Sequence, residues 1–225
     1  MPAGLEFVEA NPSQTAACLD ATSIHLWHIP YASAQGRAPL LRWLAAYLGV
    51  PESHVLLRAE TGGKPRLAHT IAAGANHLEF NWSHSGAHAL IALARGLPLG
   101  VDIEHLGKNP RALEIARRFF HPDEADGLAT LEPEARNRAF ISLWCAKEAV
   151  LKAAGQGLSF GLARLAFDQV PDFDWRLVRT DPALGKVADW QLMTFPAAPD
   201  CRGALAWRGG ARRIFAFRPG EGGSP

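Results

Sequence analysis

Two acidic residues on one short segment are the first candidates for chemistry in this chain. Asp102 and Glu104 lie two positions apart in Val-Asp-Ile-Glu, a segment that predicts a strand, and a strand repeats every two residues. Both carboxylates therefore point to one face, where they repel each other unless a cation lies between them. A hard divalent ion such as Mg²⁺ prefers such oxygen ligands. The same pattern also fits an ordinary solvated sheet face, and the pair alone does not decide between the two.

An acid and a base four residues apart form the second candidate. Glu148 and Lys152 share one face of a predicted helix, and Trp144 lies one turn earlier on that face. A Glu-Lys pair at this spacing is also a common surface ion pair, worth about 0.3–0.5 kcal/mol. The neighbouring residues favour a functional role. Apolar positions bury much of the helix, and the charged face that remains is expected to lie next to the strand that carries Asp102 and Glu104.

Two further segments offer contacts for phosphate. In Gly-Lys-Pro, Lys64 lies between a flexible glycine and the rigid Pro65, an arrangement that can hold a phosphate with the lysine as a point charge. Asn81, Ser83 and His84 add polar groups near a strand end, and His84 can be neutral or cationic near pH 7. Each segment has a structural alternative. Gly-Lys-Pro is also an ordinary turn, and one loop histidine among the nine of this chain is more often structural than functional.

The elements that must position these residues follow from apolar spacing and from glycine and proline. A helix begins near Pro39 and ends at Gly49, and the alternation over residues 78–94 predicts a hairpin with His84 near its tip. The longest helical pattern runs from Pro133 to Ala154. The remaining predicted elements are a strand at His54 to Leu57, helices opened by Pro110 and Pro122, and strands near residues 165–168, 174–179, 187–195, 203–208 and 212–217.

These elements do not alternate as regular βαβ units, so the pattern favours a mixed α+β fold. Two glycines flank a proline between Gly96 and Gly100, which is the best internal boundary. We therefore expect an N-terminal subdomain over residues 1–97, a C-terminal subdomain over 98–218 that carries the acidic strand and the long helix, and a disordered tail over 219–225.

Composition narrows the class of protein. The chain has 225 residues, of which 48% are hydrophobic, and its 23 basic and 22 acidic residues nearly cancel, so bulk charge gives no reason to expect nucleic acid as a partner. Three cysteines lie far apart without a C-x-x-C spacing, which favours a reducing cytoplasm. Neither an export signal nor a membrane-spanning segment is indicated.

The order of the motifs resembles one family. GKP, FNWSHSG, GVDIEHL, FHPDEADGL and FISLWCAKEAVLKAAGQGLSF follow one another as in the surfactin-synthetase-activating (Sfp-like) 4′-phosphopantetheinyl transferases. The resemblance covers roughly residues 36 to 170. Its most specific part is G-(V/I)-D followed by F-x-x-x-W-x-x-K-E-x-x-x-K, which is represented here by Phe140, Trp144, Lys147, Glu148 and Lys152.

The resemblance implies a pseudo-twofold pair of similar subdomains with the active site in the cleft between them. It implies that Asp102, Glu104 and Glu148 bind Mg²⁺, with Mn²⁺ as a possible substitute. The residues it places against coenzyme A, the co-substrate, are Lys64, Ser83, His84 and Lys152, with Pro65 and Asn81 inside the same motifs. Many members carry a basic stretch near the N-terminal side that helps to hold the nucleotide, and here only Arg37 and Arg42 are available.

The implied reaction moves the phosphopantetheine arm of coenzyme A to a serine of an apo acyl or peptidyl carrier protein, with release of 3′,5′-ADP. Glu148, Lys152 and His84 are the implied catalytic residues, and the serine proton goes to Glu148 either directly or through a metal-bound water. We expect a monomer in the cytoplasm. The carrier is expected to dock near Arg117 and Arg118, with one of the two following phenylalanines buried and the arginines exposed.

Two other classes of function stay open from the residues alone. A catalytically silent module that binds coenzyme A or carrier proteins would lack metal ligands, and all three acids are present. A Mg²⁺-dependent nuclease of the D…E-x-K type would need a lysine two residues after the second acid, but His105 and Leu106 follow Glu104.

Overall fold

The computed structural model describes residues 5–59, 64–68, 77–107, 111–171 and 174–220. Within these ranges the chain is a mixed α+β protein, as the sequence predicts. The strands are β1 (Val8–Ala10), β2 (Ser23–Pro30), β3 (Leu57–Ala59), β4 (Pro65–Leu67), β5 (Leu78–Ser85), β6 (His88–Arg95), β7 (Leu99–His105), β8 (Ala166–Val170), β9 (Asp174–Arg179), β10 (Trp190–Ala198), β11 (Cys201–Arg208) and β12 (Arg213–Pro219). The helices are α1 (Pro12–Ala16), α2 (Ala38–Leu48), α3 (Ala112–Phe119), α4 (Pro122–Ala129) and α5 (Pro133–Ala153).

Two sheets and two helices form the central layers. The larger sheet has the strand order β1-β12-β2-β6-β5, and the smaller one has the order β10-β11-β7. Apolar side chains of β2 and β6 meet those of β7, β10 and β11 in a core between the sheets. Helix α2 packs on the outer face of the larger sheet, and α5 packs on the outer face of the smaller sheet. Strand β7 therefore lies between a sheet and the long helix.

The predicted bounds of the long helix are confirmed to within one residue, since α5 spans Pro133–Ala153. Pro133 occupies the first turn, where its missing N–H is not needed, and Gly155 follows the helix end with a left-handed φ of 70°. Most of its apolar residues are buried in one cluster together with α3, α4, β8 and β9. Ala204 and Ala206 of β11 belong to the same cluster, so α5 is packed on the smaller sheet, which also contains β7.

The last strand of the predicted C-terminal part joins the larger sheet. β12, from the predicted C-terminal part, pairs in parallel with β2 of the larger sheet, and Phe217 packs against Trp27 with ring centroids 5.0 Å apart. Pairing covers the β2 edge and buries an aromatic residue, which explains why the strand lies there. The boundary near residue 98 stays a prediction.

Three local predictions need correction or fall outside the described ranges. The segment predicted as a strand at 54–57 is instead a short 3₁₀ turn over Glu52–His54, and β3 follows it. Pro219 ends β12 and pairs with Ala10, so the predicted disordered tail does not begin at 219, and residues 221–225 lie outside the described ranges. The predicted helix start at Pro110 also lies outside them. No helix among the described residues has the length and apolar character needed to cross a membrane.

Candidate active site

The candidate site forms where β5, β7 and α5 meet, and a glycine allows the close approach. A methyl group on Gly100 would lie 2.0 Å from the carbonyl oxygen of Ala149 and 2.4 Å from the amide nitrogen of Ala153. Only glycine therefore lets β7 lie directly on α5. The acidic strand and the Glu-Lys helix face predicted from the sequence are brought together by this contact.

Side chains of β5 bind the open edge of β7. Asn81 Oδ1 accepts a hydrogen bond from the amide of Val101 at 2.8 Å, and Ser83 Oγ donates to Asp102 Oδ1 at 2.7 Å. Ser85 Oγ donates to Glu104 Oε2 at 2.9 Å. Because these three β5 residues are two apart, they share one face of the strand and form a ladder of side-chain bonds to β7.

Lys152 connects α5 to β7 through an ion pair with Asp102. Its Nζ lies 2.6 Å from Asp102 Oδ1 and also donates to Ser83 Oγ at 3.1 Å and to the Val101 carbonyl at 3.2 Å. Although burial opposes its charge, the carboxylates of Asp102 and Glu148 hold the pKa of Lys152 above its ordinary value. The lysine is therefore a fixed positive charge in the site.

Two carboxylate oxygens in the same place are buried and have no hydrogen-bond partner, namely Asp102 Oδ2 and Glu148 Oε1. The pKa of Glu148 is raised to about 7, chiefly by burial and also by the negative charges of Asp102 and Glu104, while Lys152 partly offsets these effects. A buried acceptor without a donor is unfavourable, and an excess of carboxylates over cations adds to that cost.

This donor set fits a hard divalent cation. Asp102 and Glu148 lie near the single ammonium of Lys152, Glu104 adds a third negative charge near Glu148, all the ligand atoms are oxygens, and two of these oxygens lack a partner. In the structure, the Lys152 ammonium forms an ion pair with Asp102 Oδ1. The described residues contain one group of three potential ligand atoms within 4.8 Å of one another, and it lies elsewhere, at His88, Asp200 and Cys201. Binding of one ion by all three carboxylates would therefore require side-chain rotation.

Lys64 is buried, and Pro65 beside it is half-buried. Lys64 is 8% exposed, and its Nζ donates to the carbonyl oxygens of Leu99 and Lys152, both at 2.9 Å. It thereby connects the start of β7 to the end of α5. Pro65 begins β4 and pairs with Ala59. The predicted phosphate contact of Lys64 stays a prediction, and residues 60–63 before it lie outside the described ranges.

His84 lies on the opposite face of β5 from Ser83, as expected for adjacent strand residues. Its ring is exposed and stacks on Tyr31 with centroids 4.4 Å apart, and Trp82 lies beside it at 5.1 Å. The structure thus separates His84 from the group formed by Ser83, Asp102 and Lys152. Its predicted contact with phosphate and its predicted catalytic role stay predictions.

A buried ion pair on the far side of α5 was not predicted. Lys147 is fully buried, and its Nζ lies 2.8 Å from Glu124 Oε2 and donates to the carbonyls of Leu162 and Leu165. Burial lowers the pKa of Lys147 to about 8. The spacing of the two lysines is the sequence signal for this separation. Lys147 and Lys152 are five residues apart and therefore project from different sides of the helix. Lys147 is an anchor for α5 and not part of the acidic site.

The predicted division of the α3 phenylalanines is confirmed. Phe119 is 45% exposed, whereas Phe120 is buried and stacks on Phe140 with centroids 5.2 Å apart. Arg117 and Arg118 are exposed, and the Arg118 guanidinium lies over the Phe119 ring. A basic and aromatic patch therefore remains on the surface at the end of α3.

Comparison with known proteins gives consistent matches. The family model of the 4′-phosphopantetheinyl transferase superfamily matches residues 98–211. A 4′-phosphopantetheinyl transferase of Nostoc, HetI, is 33% identical over 175 residues, which are 77% of this chain and 69% of that protein. The transferase psf-1 of Bacillus pumilus is 35% identical over 123 residues, 53% of this chain and 49% of the relative.

A human protein named L-aminoadipate-semialdehyde dehydrogenase-phosphopantetheinyl transferase is 32% identical over 146 residues, 62% of this chain and 47% of that protein. The chain thus spans about half the length of two of these three relatives.

Proposed function

The chain belongs to the 4′-phosphopantetheinyl transferase superfamily, and from this premise we propose that it moves the phosphopantetheine arm of coenzyme A to a serine of an apo carrier protein. The observation that supports this most is the meeting of Asp102, Glu148 and Lys152, where two buried carboxylate oxygens lack partners beside one ammonium. Such a site suits a phosphoryl transfer, in which positioning and electrostatics do most of the work.

Asp102, Glu104 and Glu148 are the residues that would hold Mg²⁺ or Mn²⁺. A bound ion would supply positive charge that offsets the negative charge of the phosphates of coenzyme A. The two buried carboxylate oxygens without partners support this assignment. Ser85 orients Glu104 through its hydrogen bond, so the β5 ladder holds the predicted ligands in place.

In the proposed reaction, the serine oxygen of the carrier forms a bond to the β-phosphorus of coenzyme A, and the bond from that phosphorus to the oxygen leading to 3′,5′-ADP breaks. Glu148 accepts the serine proton as the general base. Lys152 Nζ turns from Asp102 to a phosphate oxygen and offsets the charge that develops there.

The other site residues divide into two roles in this proposal. Ser83 and His84 contact the phosphates of coenzyme A directly, from the two faces of β5. Asn81 Oδ1 and Lys64 Nζ hold the backbone of β7 and α5 in position, and Lys64 is in addition proposed to contact a phosphate of coenzyme A. Pro65 fixes the backbone beside Lys64. The site would then lie in a cleft between two similar subdomains, as the family resemblance implies.

The carrier protein would dock on the patch of Arg117, Arg118 and Phe119. These residues are exposed, and their charge and apolar surface complement a carrier helix that is acidic around an apolar serine face. We further propose that the enzyme works as a monomer in the cytoplasm. The three cysteines are free in the structure, which agrees with a reducing compartment.

The proposed activity is tested by incubating the protein with coenzyme A, Mg²⁺ and an apo carrier protein, and measuring the intact mass of the carrier. We expect the carrier to gain the mass of one phosphopantetheine arm, and 3′,5′-ADP to appear in equal amount. A control carrier whose acceptor serine is replaced by alanine should stay unchanged. If several acyl and peptidyl apo carriers are tested and none of them gains this mass, the proposal is contradicted.

A further inference from the structure

A cluster of histidine, aspartate and cysteine lies between the ends of the two sheets, on the side of β7 that faces away from α5. The ligand atoms of His88, Asp200 and Cys201 all lie within 4.8 Å of one another. His88 begins β6 of the larger sheet, and Cys201 begins β11 of the smaller one. The proposed transfer reaction uses none of these three residues.

The geometry is close to that of a tetrahedral metal site. His88 Nε2 lies 3.7 Å from Asp200 Oδ1. With metal-to-ligand bonds of about 2.0–2.3 Å, neighbouring ligand atoms in a tetrahedron are about 3.3–3.8 Å apart. Side-chain movements of about 1 Å or less would therefore bring the three atoms to coordination distance.

Neighbouring side chains orient two of the three ligands. His28 Nε2 forms a hydrogen bond with His88 Nδ1 at 2.9 Å. This bond occupies Nδ1 of His88 and leaves its Nε2 directed toward Asp200. His105 Nδ1 accepts a hydrogen bond from the amide of Gly107, and its Nε2 therefore donates to Asp200 Oδ2 at 2.8 Å. Outer partners of this kind orient the ligands in known metal sites.

We propose that His88, Asp200 and Cys201 form a second metal site, which takes Zn²⁺ through one imidazole nitrogen, one carboxylate oxygen and one thiolate. A thiolate together with an imidazole selects a borderline-soft transition metal over Mg²⁺. The Cys201 thiol, which donates a hydrogen bond to Asp200, releases its proton to solvent when the metal binds. Because the side chain of Asp200 is 53% exposed, the fourth position is open to water.

The site would connect the two sheets and fix the end of β7. Cys201 pairs directly with His105 across the smaller sheet, and the amide of His105 donates to Ser85 Oγ, which in turn binds Glu104. The inference does not depend on the proposed transfer activity, since it rests on ligands from a separate cluster.

The test uses Co²⁺ as a spectroscopic probe on the reduced, metal-stripped full chain. We expect one equivalent of Co²⁺ to produce a thiolate-to-cobalt charge-transfer band in the near ultraviolet, and Zn²⁺ to remove the band because zinc binds such sites more tightly. Zn²⁺ should also raise the melting temperature, since it binds the folded state.

Variants identify the ligands. Cys201→Ser should abolish the band, and Asp200→Asn should weaken Co²⁺ binding by about 10-fold or more. Cys18→Ser is the matched control at an exposed cysteine, and Cys145→Ser is the control for the thiol near the carboxylate site, so both should keep the band. If Cys201→Ser does not fold, the exposed Asp200→Asn variant still tests the site.

The proposal would be overturned by the absence of a thiolate band with excess Co²⁺ on the wild-type chain, by a band that survives in Cys201→Ser, or by unchanged affinity in Asp200→Asn. A band that disappears in folded Cys145→Ser would place the metal at the carboxylate site and would also contradict the proposal.

Discussion

Replacing Glu148 by glutamine should make the metal-free protein more stable at high pH but not at low pH. The folded protein holds the pKa of Glu148 at about 7, against an ordinary value of 4.5. Each pKa unit corresponds to about 1.36 kcal/mol, so the ionised carboxylate destabilises the folded state by about 3 kcal/mol. Glutamine cannot ionise, and it removes this penalty.

The sign of the pH dependence follows from proton binding. Between pH 4.5 and about 7 the folded state keeps a proton on Glu148 that the unfolded state has lost, so stability falls as the pH rises through this range. The penalty is absent below 4.5 and complete above about 7. The free energy of unfolding of Glu148→Gln minus that of wild type should therefore grow by about 3 kcal/mol from pH 4.5 to 8.

The assay is urea unfolding followed by tryptophan fluorescence, with EDTA present, over a series of pH values. Any packing difference of the glutamine amide gives a constant offset and does not affect the slope. Glu134→Gln on the same helix is the matched control, because it makes the same substitution at an exposed side chain away from the site. A difference between Glu148→Gln and wild type that is flat from pH 4.5 to 8 would refute the burial and charge assigned to this site.

Three further predictions concern packing, phosphate and the carrier. Gly100→Ala places a methyl group 2.0 Å from a backbone oxygen of α5, so it should lower stability by about 1–3 kcal/mol in urea unfolding and transfer by about 100-fold, whereas Gly127→Ala, with open space around it, should be tolerated. A fully active and stable Gly100→Ala protein would contradict the close packing. Lys152→Ala should lower kcat/KM for coenzyme A by about 100-fold and Lys152→Arg should recover part of it, because the positive charge is kept; unchanged kinetics would remove the lysine from phosphate binding. Replacing Arg117 and Arg118 by glutamate should slow transfer to an acidic carrier without changing coenzyme A binding, and the deficit should shrink as salt rises, since exposed charges are screened over about 8–10 Å; a constant deficit would mean that the carrier docks elsewhere.

The elements that carry the site were predictable because their signals are local. The strand period places Asp102 and Glu104 on one face, and helical spacing with a proline at the start and a glycine after the end defines α5. The same spacing separates Lys147 from Lys152, and the structure shows these lysines on opposite sides of the helix. In each case the prediction depended on neighbours a few residues away.

Contacts between distant segments were not predictable from such signals. The ladder from β5 to β7 joins strands of different sheets, so Ser85 gave no sign that it binds Glu104. Strand β12 pairs with β2 across almost the whole chain. Lys64 was interpreted within its own turn, whereas its ammonium binds carbonyls of β7 and α5. Periodicity describes which face a residue occupies and carries no information on which distant element covers that face.

The most direct measurement is the Mg²⁺ dependence of transfer to an apo carrier by the wild-type chain and by Asp102→Ala, followed by intact mass over time. Asp168→Ala, which removes an exposed carboxylate on β8, is the matched control. We predict saturable Mg²⁺-dependent transfer for wild type and for the control, and a loss of about 100-fold or more for Asp102→Ala. Wild-type rates for Asp102→Ala at limiting Mg²⁺ would contradict the assignment of this site.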